Sequence, residues 1–238
     1  MRLCTICARG GSLGVKNKNL QEINGISLIG ISITQAKRSN LFSHVAVSSD
    51  CPNILSEAER FGADHLIKRP DDLATSTAGK IPTIQHAVKW MQEKLNITFE
   101  TLVDLDVTSP LRLVRDIVEA VELKEINREV KNVITGTPAR RSPYFNLVES
   151  DLEGWVHLSK QTKTAGVIRR QDSPKCYDMN ASIYVWDNQS LFESQYLSFS
   201  QTKILVMPEE RSIDVDSELD LDFVRFIAQK HNRFREVW

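Results

Sequence analysis

The sequence predicts an α/β protein: one domain built on a mostly parallel, doubly wound sheet, with a small sub-domain inserted late in the chain. Three observations carry this. Short apolar runs rich in β-formers alternate with amphipathic helical segments along most of the 238 residues. Several of those runs lack polar alternation, as strands covered on both faces do. The alternation stops over 138–180, where prolines, aromatics and arginines replace any long helical period.

The runs are RLCTIC (2–7), HVAVSS (44–49), TLVDLD (101–106), NVITGT (132–137) and ASIYVW (181–186). Helical faces lie between them. Ile54, Leu55, Ala58 and Phe61 share one face. Ile81, Ile84, Val88, Met91 and Leu95 share another, with Pro82 in the first turn, where proline is tolerated. Leu113, Val114, Ile117, Val118 and Val121 form a third. Ser217 followed by Asp220 resembles a capping box opening a last helix with Leu219, Phe223, Val224 and Ile227. Strand and helix alternating in this order imply parallel strands with helices on both faces, a Rossmann-like arrangement. The stretch 138–180 reads as hairpins and loops, and no internal repeat is visible.

Composition excludes some function classes. Hydrophobic residues make up 41% and charged residues 26%, an ordinary globular balance. The net charge of −1 gives no electrostatic support to a nucleic-acid or membrane-surface partner. No apolar run approaches the ~18 residues of a membrane span. The first residues run directly into a glycine loop rather than a signal peptide, so a cytoplasmic protein is expected. Cys4 and Cys7 form a C-x-x-C without a second pair or an H-x-x-H. On a strand, side chains three apart point to opposite faces, so buried thiols are favoured over a metal or redox site. His44, His65, His86 and His157 show no ligand spacing.

The chemistry begins after the first strand, in CARGGSLGVKNKN (7–19). Ligands of open α/β sheets bind beyond the carboxyl ends of the strands. Glycines let backbone N–H groups approach phosphate oxygens, Arg9 offers a bidentate fork, and Lys16 and Lys18 add charge. The spacing matches neither the Walker loop nor the dinucleotide fingerprint. From composition alone, two readings stand: a phosphate cradle, or a surface turn with solvated lysines.

The pattern R-x-G-S-x(5)-K-N, formed by Arg9, Gly11, Ser12, Lys18 and Asn19, is similar to the signature of the CMP-sugar synthetases, the acylneuraminate cytidylyltransferase family. KRPDDLATSTAGK (68–80) resembles that family's R-P-x-x-L-A-x-D-T-A segment, with Ser76 in place of Asp. DVTSPLR (106–112) resembles Q-P-T-S-P-L-R, and RSIDVDSELDL (211–221) resembles S-I-D-I-D-T-E-L-D-L. The motifs come in the family order and cover nearly the whole chain. PARRSPYFNLVE (138–149) and RQDSPKCYDMNASIY (170–184) look like its legionaminic-acid branch. Asp106 stands where sialic-acid enzymes usually carry Gln, which leaves the sugar open.

The resemblance implies transfer of CMP from CTP to a nonulosonic acid with release of pyrophosphate. It implies a nucleotide site of Arg9, Gly10, Gly11, Ser12, Lys18, Asn19 and Arg69, with the backbone near Ala78 and Lys80. Arg9 and Lys18 would hold the triphosphate. Asp214 and Asp216, two apart on an extended segment, would point to one side and hold Mg²⁺; exposed loop carboxylates are the bland alternative. Sugar contacts fall to Asp106, Arg112, Arg170, Asn180 and Tyr184, with Arg170 the first choice for the sugar carboxylate. The insertion would serve a homodimer or tetramer, and Arg140 and Arg141 are either rim charges or reach a partner's site. Asp104 and Asp106 form a second D-x-D, the one feature favouring a sugar-1-phosphate nucleotidyltransferase or a D-x-D glycosyltransferase instead. A non-catalytic nucleotide-binding protein is the third reading.

Overall fold

In the computed structural model, residues 1–12, 14–160, 172–197 and 200–231 are described. The chain opens with β1 (Arg2–Cys7), a two-strand hairpin of β2 (Glu22–Ile23) and β3 (Ile26–Ser27), and α1 (Leu28–Arg38). Then come β4 (His44–Ser49), α2 (Pro52–Arg60), β5 (His65–Lys68), α3 (Lys80–Leu95), β6 (Thr101–Leu105) and α4 (Val114–Glu125). The second half holds β7 (Asn132–Pro138), the small hairpin β8 (Val148–Ser150) and β9 (Val156–Leu158), β10 (Tyr177–Asp187), α5 (Asn188–Glu193), β11 (Thr202–Val206) and α6 (Glu218–Lys230).

Seven strands make one sheet in the order β11-β7-β10-β6-β1-β4-β5. Every pairing is parallel except those of β10, which runs antiparallel to both β6 and β7. The expected mostly parallel sheet is therefore observed. Its strand order reverses direction at β1, whose neighbours are β4 and β6, and ligands of open α/β sheets bind outside such a switch point.

The two faces carry separate apolar layers. Cys4 and Ile6 of β1 pack with α1, α2, α4 and α6 on one face, while Leu3 packs with Ile84, Val88 and Met91 of α3 and Leu191 of α5 on the other. Cys7 joins that second layer, so the two thiols of the C-x-x-C lie on opposite faces. All four cysteines are free. The last helix begins as expected: Ser217 Oγ accepts from Asp220 N at 3.3 Å, and Asp220 Oδ2 accepts from Ser217 N at 2.8 Å.

Periodicity alone does not reveal α1, whose LIGISITQAKR is rich in β-branched residues. Packing overrides that preference. Ser27 caps the helix by accepting from Gly30 N at 3.1 Å, and the Phe61 ring fills the space a Cβ on Gly30 would need, 2.5 Å from Cε2. The edge strands β5 and β11 also lie outside the expected runs.

Of the stretch expected as an insertion, 138–180, the two ends belong to the sheet: Pro138 closes β7 and Tyr177–Asn180 open β10, and the two strands pair through Pro138 and Tyr177. Between them, residues 139–160 and 172–176 are described, and they carry the exposed hairpin β8–β9. Among the described residues, no helix is long and apolar enough to cross a membrane.

Candidate active site

A cleft of about 450 Å³ opens beyond the carboxyl ends of β1, β4 and β6. Its first wall is the 9–19 loop. Gly10 N donates to Asp50 Oδ1 at 2.9 Å, and a Cβ on Gly10 would sit 2.8 Å from that of Cys51, so only glycine lets the loop lie this close to β4's end. Asn17 takes a left-handed conformation, φ 51°, and turns the chain into a short 3-10 helix at Lys18–Leu20. Asn19 is buried and donates through Nδ2 to Arg9 O at 2.8 Å, which closes the loop on itself. Arg9, Ser12, Lys18 and Asn19 all line the cleft. Gly11 is exposed, with open space where its Cβ would stand.

The second wall comes from the far end of the chain. After Met207, a 3-10 turn at Glu209–Arg211 leads into the irregular segment 212–216. Val215 is fully buried and donates through N to Thr108 O at 2.8 Å. Asp214 and Asp216 flank it: Asp216 is exposed and lines the cleft, while Asp214 is half-buried and does not. The two walls touch: Lys18 Nζ donates to Val215 O at 2.8 Å and pairs with Asp216 Oδ1 at 3.0 Å. Gly14, which the motif spacing did not single out, makes this contact possible, because a Cβ there would lie 2.0 Å from Asp216 O.

Asp214 is the electrostatically unsettled group. Burial pushes its carboxyl up to about 6; the nearby Thr108 offsets part of this, while Asp106 and Asp216 push further. Its Oδ1 is buried with no hydrogen-bond partner. Asp216, by contrast, is exposed. An orphaned carboxylate oxygen beside a second carboxylate suits a hard cation that shares phosphate oxygens. Among the described residues, no group of three or more His, Cys, Asp or Glu side chains is placed to hold a metal, so water or substrate oxygens would have to complete a shell begun by the two aspartates.

The floor is charged. Lys80, at the start of α3, contacts Asp106 Oδ2 directly, lies 3.4 Å from Asp104 Oδ2 and sits 4.7 Å from the centroid of the Tyr184 ring. Burial opposes the charge on Lys80, but the two aspartates raise its pKa well above the usual lysine range. Burial likewise opposes the charge on Asp106, yet Lys80 and Thr108 hold its carboxyl at about 2. Asp104, deeper, is raised by burial despite Lys80. On the opposite side, Arg69 is buried against β4, donating through Nη2 to Ser48 O at 2.8 Å, and faces the cleft together with Thr75, Ser76 and Ala78.

Three of the expected sugar contacts lie behind these walls instead of on them. Arg112 is fully buried: Nη1 donates to Asp106 O at 2.6 Å and Ser182 O at 3.1 Å, and Nη2 to Ser32 Oγ at 2.6 Å. A buried guanidinium must spend its donors on such acceptors, so it braces the 106–112 turn. Asn180, 5% exposed, links Thr135 Oγ1 to Ser212 Oγ, at 2.7 and 2.9 Å. Tyr184, 1% exposed, stacks on Trp186 beneath Lys80. Asp106 does reach the cleft. Arg170 lies outside the described residues. Arg140 and Arg141 are exposed on the insertion, away from the residues lining the cleft. One bracing pair went unread in the sequence. Arg211 binds Asp116 through Nε at 3.1 Å and Nη2 at 2.6 Å, both side chains buried, and ties the aspartate-bearing segment to α4.

The profile of the cytidylyltransferase family matches residues 3–234. A protein from Campylobacter coli called post-translational flagellin modification protein B is 44% identical over 230 residues, 97% of this chain and 96% of that one. A Campylobacter jejuni CMP-N,N'-diacetyllegionaminic acid synthase shows the same identity and the same coverage. Among solved structures, a CMP:2-keto-3-deoxy-manno-octonic acid synthetase in complex with CTP superimposes with a TM-score of 0.68 at 17% identity, covering 97% of this chain and 99% of its own.

Proposed function

The chain belongs to the cytidylyltransferase family, and from that premise we propose that it activates a nonulosonic acid, legionaminic acid or a derivative, with CTP to give the CMP-sugar and pyrophosphate. The anomeric hydroxyl of the acid attacks the α-phosphorus of CTP, a new P–O bond forms, and the bond to the β-phosphate oxygen breaks as pyrophosphate leaves. Charge develops on the phosphate oxygens, so the protein's task is placement and electrostatic stabilisation. Arg9, Lys18 and the Gly11 N–H grip the triphosphate and the departing pyrophosphate, while Gly10 N and Ser12 N hold the loop's shape through Asp50 and Gly10 O. Asn19 and Arg69, with the backbone at Ala78 and Lys80, hold the cytidine. Asp106 faces the acceptor sugar, braced from behind by Arg112. Asp214 and Asp216 would hold Mg²⁺, which when bound neutralises phosphate charge and polarises the α-phosphate.

One observation carries the reading: the cationic loop after β1 and Asp216, just before α6, face each other across one cleft, joined by the Lys18–Asp216 pair, with the half-buried Asp214 two residues away. The 44% identity to a diacetyllegionaminic acid synthase supports the choice of sugar class. The hairpin β8–β9 exposes Leu152, Trp155 and Val156, an apolar surface that suits the homodimer expected of the insertion.

The test is pyrophosphate release by the purified protein with CTP, Mg²⁺ and a panel of N-acetylneuraminic, legionaminic and pseudaminic acids. Legionaminic acid is expected to lead the panel, ATP and UTP to serve poorly, and Asp216→Ala to cut turnover ~10²- to 10³-fold, the scale of losing one electrostatic stabiliser. A sugar phosphate that outcompetes every free keto acid would overturn the assignment, and undiminished turnover in Asp216→Ala would overturn the metal site.

A further inference from the structure

The Asp104-x-Asp106 pair has the spacing of a metal-binding motif, yet the structure fills it from within. Residues two apart on a strand share a face, so both carboxylates leave the end of β6 on the side of α3. Two ionised carboxylates this close need a cation between them. Lys80 supplies it, in contact with Asp106 and 3.4 Å from Asp104 Oδ2.

Lys80 is not placed there by its helix. It is the first residue of α3, after the N-cap Gly79, where the helix dipole disfavours a cation. The carboxylates and the face of Tyr184 hold it. The remaining oxygens are also engaged. Thr5 Oγ1 donates to Asp104 Oδ1 at 2.9 Å, and Thr108 donates to Asp106 Oδ1 from N at 3.1 Å and from Oγ1 at 2.8 Å. A divalent ion at this pair would have to take the two Oδ2 atoms that Lys80 already occupies. Asp104 Oδ2 and Asp214 Oδ1 are both buried without a hydrogen bond, but Asp104 Oδ2 has Lys80 Nζ at 3.4 Å, whereas no salt bridge reaches Asp214 among the described residues.

We propose that Lys80 is the resident cation of the Asp104–Asp106 pair, standing in the place of a divalent ion, so that the cleft takes metal only through Asp214 and Asp216. This rests on the metal assignment made above and is independent of which sugar is used.

The experiment counts Mn²⁺ ions bound to the nucleotide-free protein by electron paramagnetic resonance titration. Wild-type and Asp106→Asn proteins are expected to bind the same number. Lys80→Met is expected to bind one ion more, and Lys80→Met/Asp106→Asn to return to the wild-type count. The proposal falls if Asp106→Asn loses an ion, or if Lys80→Met with a native circular dichroism spectrum gains none. The Asp106→Asn arm leaves Lys80 in place, so it decides even where Lys80→Met does not fold. Failure of every acid to release pyrophosphate would sink the functional reading without moving these counts.

Discussion

Replacing Asp214 by Asn should stabilise the metal-free protein while abolishing its activity. The ordinary carboxyl value is 3.8, and burial beside Asp106 and Asp216 carries Asp214 to about 6. At ~1.4 kcal/mol per pH unit, that displacement amounts to a cost of about 3 kcal/mol. The sign follows from proton binding. Between pH 3.8 and about 6 the folded protein holds this proton more tightly than the unfolded chain, so stability falls as pH rises through that window. Above about pH 6 the whole cost is present; below 3.8 it vanishes. Asn has nearly the same shape and carries no charge. Urea denaturation in EDTA at pH 7.5 should therefore show Asp214→Asn more stable than wild type by up to about 3 kcal/mol, with the gain shrinking toward pH 4. Mg²⁺ should stabilise wild type and leave the variant unmoved. A variant no more stable at pH 7.5, or one whose gain is the same at both pH values, would refute the reasoning.

Gly14→Ala places a methyl carbon 2.0 Å from Asp216 O, so the loop and the aspartate segment must separate. A loss of ~1–3 kcal/mol in thermal unfolding is expected, together with a raised KM for CTP, and an unchanged KM would contradict the contact. Arg211→Leu leaves Asp116 charged and buried without its partner, and should cost ~3–5 kcal/mol in urea denaturation. Changing both residues to Leu should recover part of that loss, and a single variant as stable as wild type would show that the pair braces nothing.

Much of the architecture was legible because it is written locally. The five apolar runs are all sheet strands, and the capping box at Ser217 and Asp220 opens α6 as read. β5 and β11 escaped notice because both are edge strands: HLIK and TKILV are short, and each carries a lysine that a central strand would exclude. α1 escaped because its local preference points to a strand, and only the seat that Gly30 provides for Phe61 explains the helix. The site divides the same way. The 9–19 loop and the Asp214–Asp216 pair are contiguous motifs, open to a bland reading on spacing alone and marked out by their resemblance to the family's segments. Arg112 and Asn180 are polar residues near the right motifs, but whether they face the cleft or brace its back depends on partners 70 and 45 positions away, Ser182 and Thr135. The pairing of Lys80 with Asp106, 26 positions on, and of Arg211 with Asp116, 95 positions back, has no local signature at all.

The seam between Gly14 and Asp216 joins stretches just over two hundred residues apart. During synthesis, β1 and its glycine loop leave the ribosome about two hundred residues before their counterpart. A nascent chain halted before Ser212 can pair its sheet strands but has nothing against which the loop can dock. Competence to bind nucleotide should thus arrive as a late, all-or-none event in biogenesis, guarding the cell against half-made enzyme that sequesters CTP.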